Sequence, residues 1–390
     1  MRFPAQQPWW HRRLAAVYSW LPSRAPRDWR PDARRLWAAG RLLGVALVVV
    51  LLAWWLYQIF APYQGFPERA VVLIESGMSH KAIATRLTRR GVLRAHLPFL
   101  LYSYLQPHRT LKAGEYSFDQ PLSPVAVFAK LTRGEVHLYA LTVPEGYSMF
   151  DIAAAVERLQ LASADAFLEA ARDTSLIADL APQARSLEGY LFPDTYHFAR
   201  PASPRAMVSQ MVARFRQMWA SLESAQSAPK LRGHPYQVNL APDEMVTLAS
   251  LVEKETSDPA ERGLIAAVFY NRVRRRLPLQ CDPTVIYAAR LAGRYDGVIH
   301  VSDLQRDSPY NTYLYPGLPP GPIANPGRAS LEAVLNPPQS NFLYFVSNTE
   351  GGHFFARSAR QHARNVARYR RLRAAKQHAA RQAASNKKEE

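Results

Sequence analysis

Apolar and polar positions change regime several times along the chain. Residues 42–60 form an uncharged stretch of 19 residues, LLGVALVVVLLAWWLYQIF, with Gln58 near its end as the only strongly polar side chain. At ~1.5 Å per residue a helix of this length spans ~28 Å, close to the ~30 Å hydrocarbon core of a bilayer. Trp54, Trp55 and Tyr57 gather near one end and Trp37 precedes the other, as interfacial aromatics do. The pattern predicts one transmembrane helix rather than a buried core helix. A cleaved signal peptide fits less well, because the arm before it is long and no small-residue cleavage site follows. Residues 150–230 predict mainly amphipathic helices, with Ala-rich runs such as 164–171. They are interrupted at 187–196 by a proline-containing, aromatic-dense loop or strand pair. Residues 223–239 are polar and read as a connection. From 245 to 252 the chain is apolar nearly all round, predicting a buried helix with Asp243 as its N-cap.

A short pattern occurs twice ahead of these helices. Ile74-Glu75-Ser76-Gly77-Met78-Ser79 leads into Ile83, Ala84 and Leu87, and Val143-Pro144-Glu145-Gly146-Tyr147-Ser148 leads into Ile152, Ala153 and Val156. Each copy predicts a strand, a glycine turn, a serine N-cap and a helix with its apolar residues at i and i+4. This resembles the opening half of LysM modules, which bind glycans containing N-acetylglucosamine. The same residues also suit small α/β spacer modules without a sugar contact.

Charge refines the picture. The chain of 390 residues carries a net charge of +18, which first suggests a nucleic-acid partner. Nine arginines against two aspartates within residues 1–41 give +7, and eleven Lys or Arg against two glutamates in 357–390 give +9. The body between them holds only +2. No recognition helix, zinc finger or aromatic-basic sheet accompanies the tails, so no nucleic-acid partner is expected. The basic arm instead fixes topology: it stays cytoplasmic and everything after Phe60 lies outside. Cys281 is the only cysteine, which excludes an intramolecular disulfide and multi-cysteine metal sites.

The densest chemistry follows the apolar helix, at Glu253-Lys254-Glu255-Thr256. A carboxyl carried on a buried helix has its charged form disfavoured, which suits a general acid near neutral pH. The residues alone leave the choice between the two glutamates open: Glu255 lies below Leu248, Leu251 and Val252, whereas Glu253 follows Val246, Ala249 and Ser250. Both also suit a plain solvated helix end paired with Lys254 or Arg262. Downstream come Gln280, Cys281, Asp282 and Thr284, then Ser308-Pro309-Tyr310-Asn311-Thr312-Tyr313, then the stretch 317–327 with Asn325. Amides, tyrosines and hydroxyls on proline-stiffened backbone suit a carbohydrate groove, and equally a stiff surface loop. There is no H-E-x-x-H, G-x-S-x-G or P-loop motif; His353 and His362 read as structural or groove-edge residues, and no metal or cofactor is expected. Cys281 reads as a bystander.

Val252-Glu253-Lys254-Glu255-Thr256, Gln280 through Tyr287, Tyr310-Asn311-Thr312-Tyr313, Gly317 through Gly327, and Tyr344-Phe345-Val346 with Gly352-His353-Phe354 occur in that order. Together with Glu188-Gly189-Tyr190-Leu191-Phe192-Pro193-Asp194-Thr195, they resemble the YceG-like endolytic murein transglycosylases over roughly residues 40–370. The resemblance implies cleavage of the β-1,4 bond between N-acetylmuramic acid and N-acetylglucosamine in nascent glycan strands, giving 1,6-anhydro ends without water and limiting strand elongation. Carried over by position, the catalytic residue is Glu253, which opens the E-K-E-T motif. Glu255, Gln280, Thr284, Tyr310, Asn311 and Asn325 are expected to hold the sugar. Departures from the family pattern are Cys281 where Thr or Ser is usual, Ala288 where Gly is common, and Ala363 where Asn is common.

The expected fold is α+β. A cytoplasmic basic arm (1–41) and a transmembrane helix (42–60) precede LysM-like modules (67–160). A mainly helical α+β catalytic domain (161–369) and a disordered basic tail (370–390) follow. The expected location is the bacterial inner membrane, single-pass, with peptidoglycan glycan strands as substrate and peptidoglycan synthases or divisome and elongasome proteins as partners. The competing readings are a membrane-tethered murein-binding scaffold without catalysis, and a water-using muramidase with Glu255 or Asp282 as second carboxylate.

Overall fold

The computed structural model describes residues 33–226 and 240–389. Most of the basic arm, and 227–239 of the expected connection, lie outside the described residues. The chain divides into two compact units, Met1–Ala113 with Ser117–Gly134, and Gly114–Tyr116 with Glu135–Glu390. The architecture is mixed α+β.

In the first unit, α1 (Ala33–Phe60) contains the apolar stretch, and its segment Trp37–Phe60 is long and apolar enough to cross a membrane. Its leucines, valines and tryptophans are largely exposed, as no soluble core helix permits. Strand β1 (Ala70–Ile74) leads through Gly77, at φ +81°, to α2 (His80–Arg89). The Ser79 hydroxyl accepts from the Ala82 amide at 3.2 Å, and Ile83, Ala84 and Leu87 are buried, as the first copy of the repeat predicts. Helix α3 (His96–Tyr104) contributes Phe99 against Phe128 of α4 (Pro124–Arg133), their ring centres 6.0 Å apart. Strand β2 (Gly114–Phe118) lies between α3 and α4 in sequence.

In the second unit, β3 (Leu138–Thr142) pairs antiparallel with β4 (Thr195–Ala199), Ala140 opposite His197. Between them run α5 (Met149–Arg158) and α6 (Ala164–Ala170). The second copy of the repeat opens α5: Gly146 sits at φ +76°, and Ser148 and Asp151 cap each other's backbone amides at the helix start. This copy therefore folds as part of the unit that carries the glutamates. Helix α7 (Pro204–Gln226) packs Phe215 on Tyr190.

Helix α8 (Pro242–Glu255) buries every residue from Val246 to Val252, so it is enclosed all round as its composition predicts. Asp243 does not cap it. The cap lies two residues earlier, at Ala241, with Pro242 as the first helical residue, and the Glu244 carboxylate accepts from the Ala241 amide at 2.8 Å. Helix α9 (Pro259–Arg274) follows, begun by Asp258, whose carboxylate accepts from the Ala260 amide. Then come α10 (Asp282–Leu291), α11 (Val301–Leu304), α12 (Arg328–Leu335), and the antiparallel hairpin β5 (Tyr344–Ser347) and β6 (His353–Ala356). The last element, α13 (Ala359–Glu389), is helical where disorder was expected over 370–390. Its Ala, Arg, Gln and Lys residues are strong helix formers, and composition alone overstated the effect of its charge.

Candidate active site

Helix α9 carries two buried polar side chains that shape the ground around the E-K-E-T motif. Arg272 spends its guanidinium on carbonyls, donating to Leu343 at 2.8 Å, Leu279 at 2.7 Å and Pro278 at 3.1 Å. Asn271 donates to the carbonyls of Ser340 and Phe342 at 2.8 and 2.9 Å. Two loops, before α10 and before β5, are thereby tied to one helix. Between them opens a cleft of about 420 Å³, lined by Glu255, Gln280, Asp282, Tyr313, Tyr344 and His362 among others.

The two glutamates have different surroundings. Glu253, the expected acid, is enclosed, its side chain 5% exposed. One carboxylate oxygen accepts from Arg262 at 3.1 Å and the other from the Gly327 amide at 2.9 Å, at the start of α12. Arg262 also reaches Glu145 at 3.4 Å. A side chain at position 327 would overlap the Glu145 carboxylate, 1.9 Å from the added carbon, so a larger residue there would push the half-exposed Glu145 side chain aside. Glu255, two residues on, faces the cleft. Burial, with the nearby Asp282 charge, holds its carboxyl above the usual carboxylate range, against opposing effects of the Cys281 thiol and His353. No cation forms an ion pair with it at salt-bridge distance among the described residues.

The remaining predicted site residues separate into three groups. Gln280 is exposed at the cleft edge in a left-handed conformation, φ +53°, its amide donating to the Thr312 carbonyl at 3.0 Å. Thr284 and Asn311 are buried and consumed by the backbone: Thr284 donates to the Cys281 carbonyl at 2.7 Å, and Asn311 donates to the carbonyls of Leu304 and Arg306 at 3.1 and 2.8 Å. Asn325 is fully enclosed as well. It accepts from the Leu191 amide and donates to the Tyr147 carbonyl, both at 2.9 Å, and to Glu188 at 3.0 Å. Tyr310 opens instead onto a separate cavity of about 250 Å³ with Phe150 and Tyr287, its ring 5.1 Å from that of Tyr287.

Sequence reading places Tyr313 and Tyr344 within motifs without counting them as site residues, and takes Cys281 as a bystander. Tyr313 donates to the Asp282 carboxylate and Cys281 donates its thiol proton to Glu255 at 3.0 Å. Two motifs, the second tyrosine of Y-N-T-Y and the Q-C-D-P run, contained that signal. Opposite, His353 is fixed by Glu261, which accepts from its ring nitrogen at 2.6 Å and its amide at 2.8 Å. Among the described residues, no group of three or more His, Cys, Asp or Glu is placed to hold a metal.

A second buried carboxyl braces the site from behind. Glu188 accepts from the Met149 amide at the start of α5 and from Asn325, and burial pushes it up to about 8. A carboxyl raised this far is protonated when folded but ionised when unfolded across the interval from about 4.5 to about 8. The native state then binds more protons, and stability falls as pH rises. Its contribution is complete at the acid end and is lost through about 8. Glu188→Gln should remove this component, flattening the decline in melting temperature between pH 5 and 8. Melts at intervals of one pH unit check it, and parallel slopes for parent and variant would sink it.

The sequence profile of the YceG-like family matches residues 72–368. A Bacillus subtilis protein named endolytic murein transglycosylase is 33% identical over 312 residues, covering 76% of this chain and 83% of its own. A Streptococcus pneumoniae protein of the same name is 33% identical over 325 residues, 76% of this chain and 57% of its own. The crystal structure of a YceG-like protein from Listeria monocytogenes superposes with a TM-score of 0.50 at 31% identity, covering 76% of this chain and 99% of that one.

Proposed function

The chain belongs to the YceG-like family and is a lytic transglycosylase, and on that premise we propose that Glu255 cuts murein glycan strands from within. The bond broken is the β-1,4 link between N-acetylmuramic acid and N-acetylglucosamine. The observation that supports this best is a carboxyl held above its usual range at the wall of an open cleft that Asp282, tyrosines and an amide also line. Protonated Glu255 donates to the bridging oxygen as the C1–O bond breaks, and N-acetylglucosamine leaves with its 4-hydroxyl. The resulting carboxylate accepts the proton of the muramyl C6 hydroxyl as that oxygen bonds to C1. The proton borrowed in the first step is returned in the second, the product is a 1,6-anhydro ring, and no water is consumed.

Glu253 then serves the frame, holding Arg262 and the start of α12 at the base of the last α8 turn. Gln280, Tyr313 and Tyr344 are placed to meet sugar, whereas Thr284, Asn311 and Asn325 hold the loops that carry them. Helix α1 anchors the enzyme in the inner membrane with the basic arm in the cytoplasm, so that the cleft works outside on strands near the synthases that polymerise them.

Full-length protein in detergent, incubated with uncrosslinked glycan strands, tests this by product. Internal cuts with 1,6-anhydro ends are expected. Reducing ends would assign the chemistry to water, with Asp282 of the same cleft as second carboxylate. Intact strands bound without cleavage would make the protein a scaffold.

A further inference from the structure

Cys281 is held so that its side chain has one direction to point. Its amide donates to the Thr312 hydroxyl at 3.0 Å, and its carbonyl accepts the Thr284 hydroxyl at 2.7 Å, just ahead of α10. The side chain is buried, and its sulfur lies 3.0 Å from a carboxyl oxygen of Glu255. Burial and the neighbouring Glu255 keep the thiol well above its ordinary range, so it remains S–H and has a proton to donate to that oxygen. The Y-N-T-Y and Q-C-D-P segments thus meet to aim one weak donor at one carboxyl.

We propose that Cys281 is a positioning residue whose thiol orients Glu255 and sets the pH range over which that acid works. The inference rests on the assignment of Glu255 above. A donor to a carboxyl stabilises its ionised form, and a hydroxyl does so more strongly than a thiol. A serine here would therefore draw Glu255 toward ionisation at lower pH, and a thiol leaves it protonated to higher pH than a hydroxyl would. Every other charged or titratable group around the carboxyl acts beside this contact. Asp282 at the start of α10 opposes ionisation, with Tyr313 donating to it, and His353 on β6 favours it. Arg272 of α9, Tyr344 of β5 and His362 of α13 line the same cleft. Of these, Cys281 alone donates a hydrogen bond to Glu255 among the described residues.

The test is the pH profile of kcat/KM on glycan strands for full-length parent, Cys281→Ser, Cys281→Thr and Cys281→Ala, with melting curves confirming that each folds. The alkaline fall in rate should move down by about half to one pH unit in the serine variant, the exchange of a weak donor for a stronger one. Threonine should follow serine, and alanine should move the fall upward. Profiles that superimpose on the parent, with Glu255→Gln inactive, overturn the role of Cys281 and leave the acid in place. An active Glu255→Gln overturns the acid itself, and the inference falls with it.

Discussion

Glu255→Gln in the full-length protein should lose anhydro-end formation by at least about a thousandfold, within the range that general acid–base groups contribute. The expected loss is large because one carboxyl serves both proton transfers. A glutamine offers no acidic proton to the leaving oxygen and no basic oxygen to the C6 hydroxyl. The fold should tolerate the change. Glu255 has no ion pair to lose among the described residues, and burial already disfavours its charged form, while the amide matches the carboxyl in size and shape. The melting temperature is expected to stay near that of the parent. Glu253→Gln should behave in the opposite way, with turnover within about tenfold of the parent and a lowered melting temperature. The two variants, assayed side by side on uncrosslinked strands, decide between the carboxyls. An inactive Glu253 variant beside an active Glu255 variant would return the role to the position that family resemblance implied.

That choice was not legible in the sequence, and the reason is physical. Helical periodicity places Glu253 and Glu255 on different sides of α8 but says nothing of what each side meets. Glu253 meets Arg262, nine residues on, and the Gly327 amide, 74 residues on. Only the folded chain brings that amide to the helix end. The sugar contacts expected at Asn311, Thr284 and Asn325 share this origin. Asn311, Thr284 and Asn325 carry the donors and acceptors that a glycan groove needs, so their residue types suggested a groove. Whether backbone groups consume those donors depends on loop geometry, and here they do: both amide hydrogens and the oxygen of Asn325 are taken by Tyr147, Glu188 and Leu191. Local signals fared better. The Ser79 and Ser148 caps and the glycine turns before them form as read, because each depends on contacts within a few residues. The burial of 246–252 follows from composition alone, since a segment apolar on every side has only one low-energy place to go.

Arg262→Ala is expected to cost about 3–5 kcal/mol of stability, the range for breaking a buried ion pair by removing one partner. Arg262 is 9% exposed and Glu253 5%, so neither gains much from water when the other is lost. Without the guanidinium, Glu253 keeps a single backbone donor from Gly327, and Glu145, already pressed against that glycine, loses its contact too. A buried carboxylate in that position must either take up a proton or pull the last turn of α8 apart. Glu255 sits on that turn, so activity should fall along with stability. The companion variant carries both Arg262→Ala and Glu253→Gln. It removes the uncompensated charge and should recover a large part of the lost stability, giving a strong coupling in the double-mutant cycle. Denaturant unfolding of the four proteins measures it. A cost below about 1 kcal/mol for Arg262→Ala, the scale of an exposed ion pair, would mean that Glu253 does not depend on this arginine. Glu253 would then be free to act in the reaction, and its assignment to the frame would be wrong. A large cost that the second substitution relieves fixes Glu253 as the charge that holds the end of α8 in place, which leaves the proton transfers to Glu255.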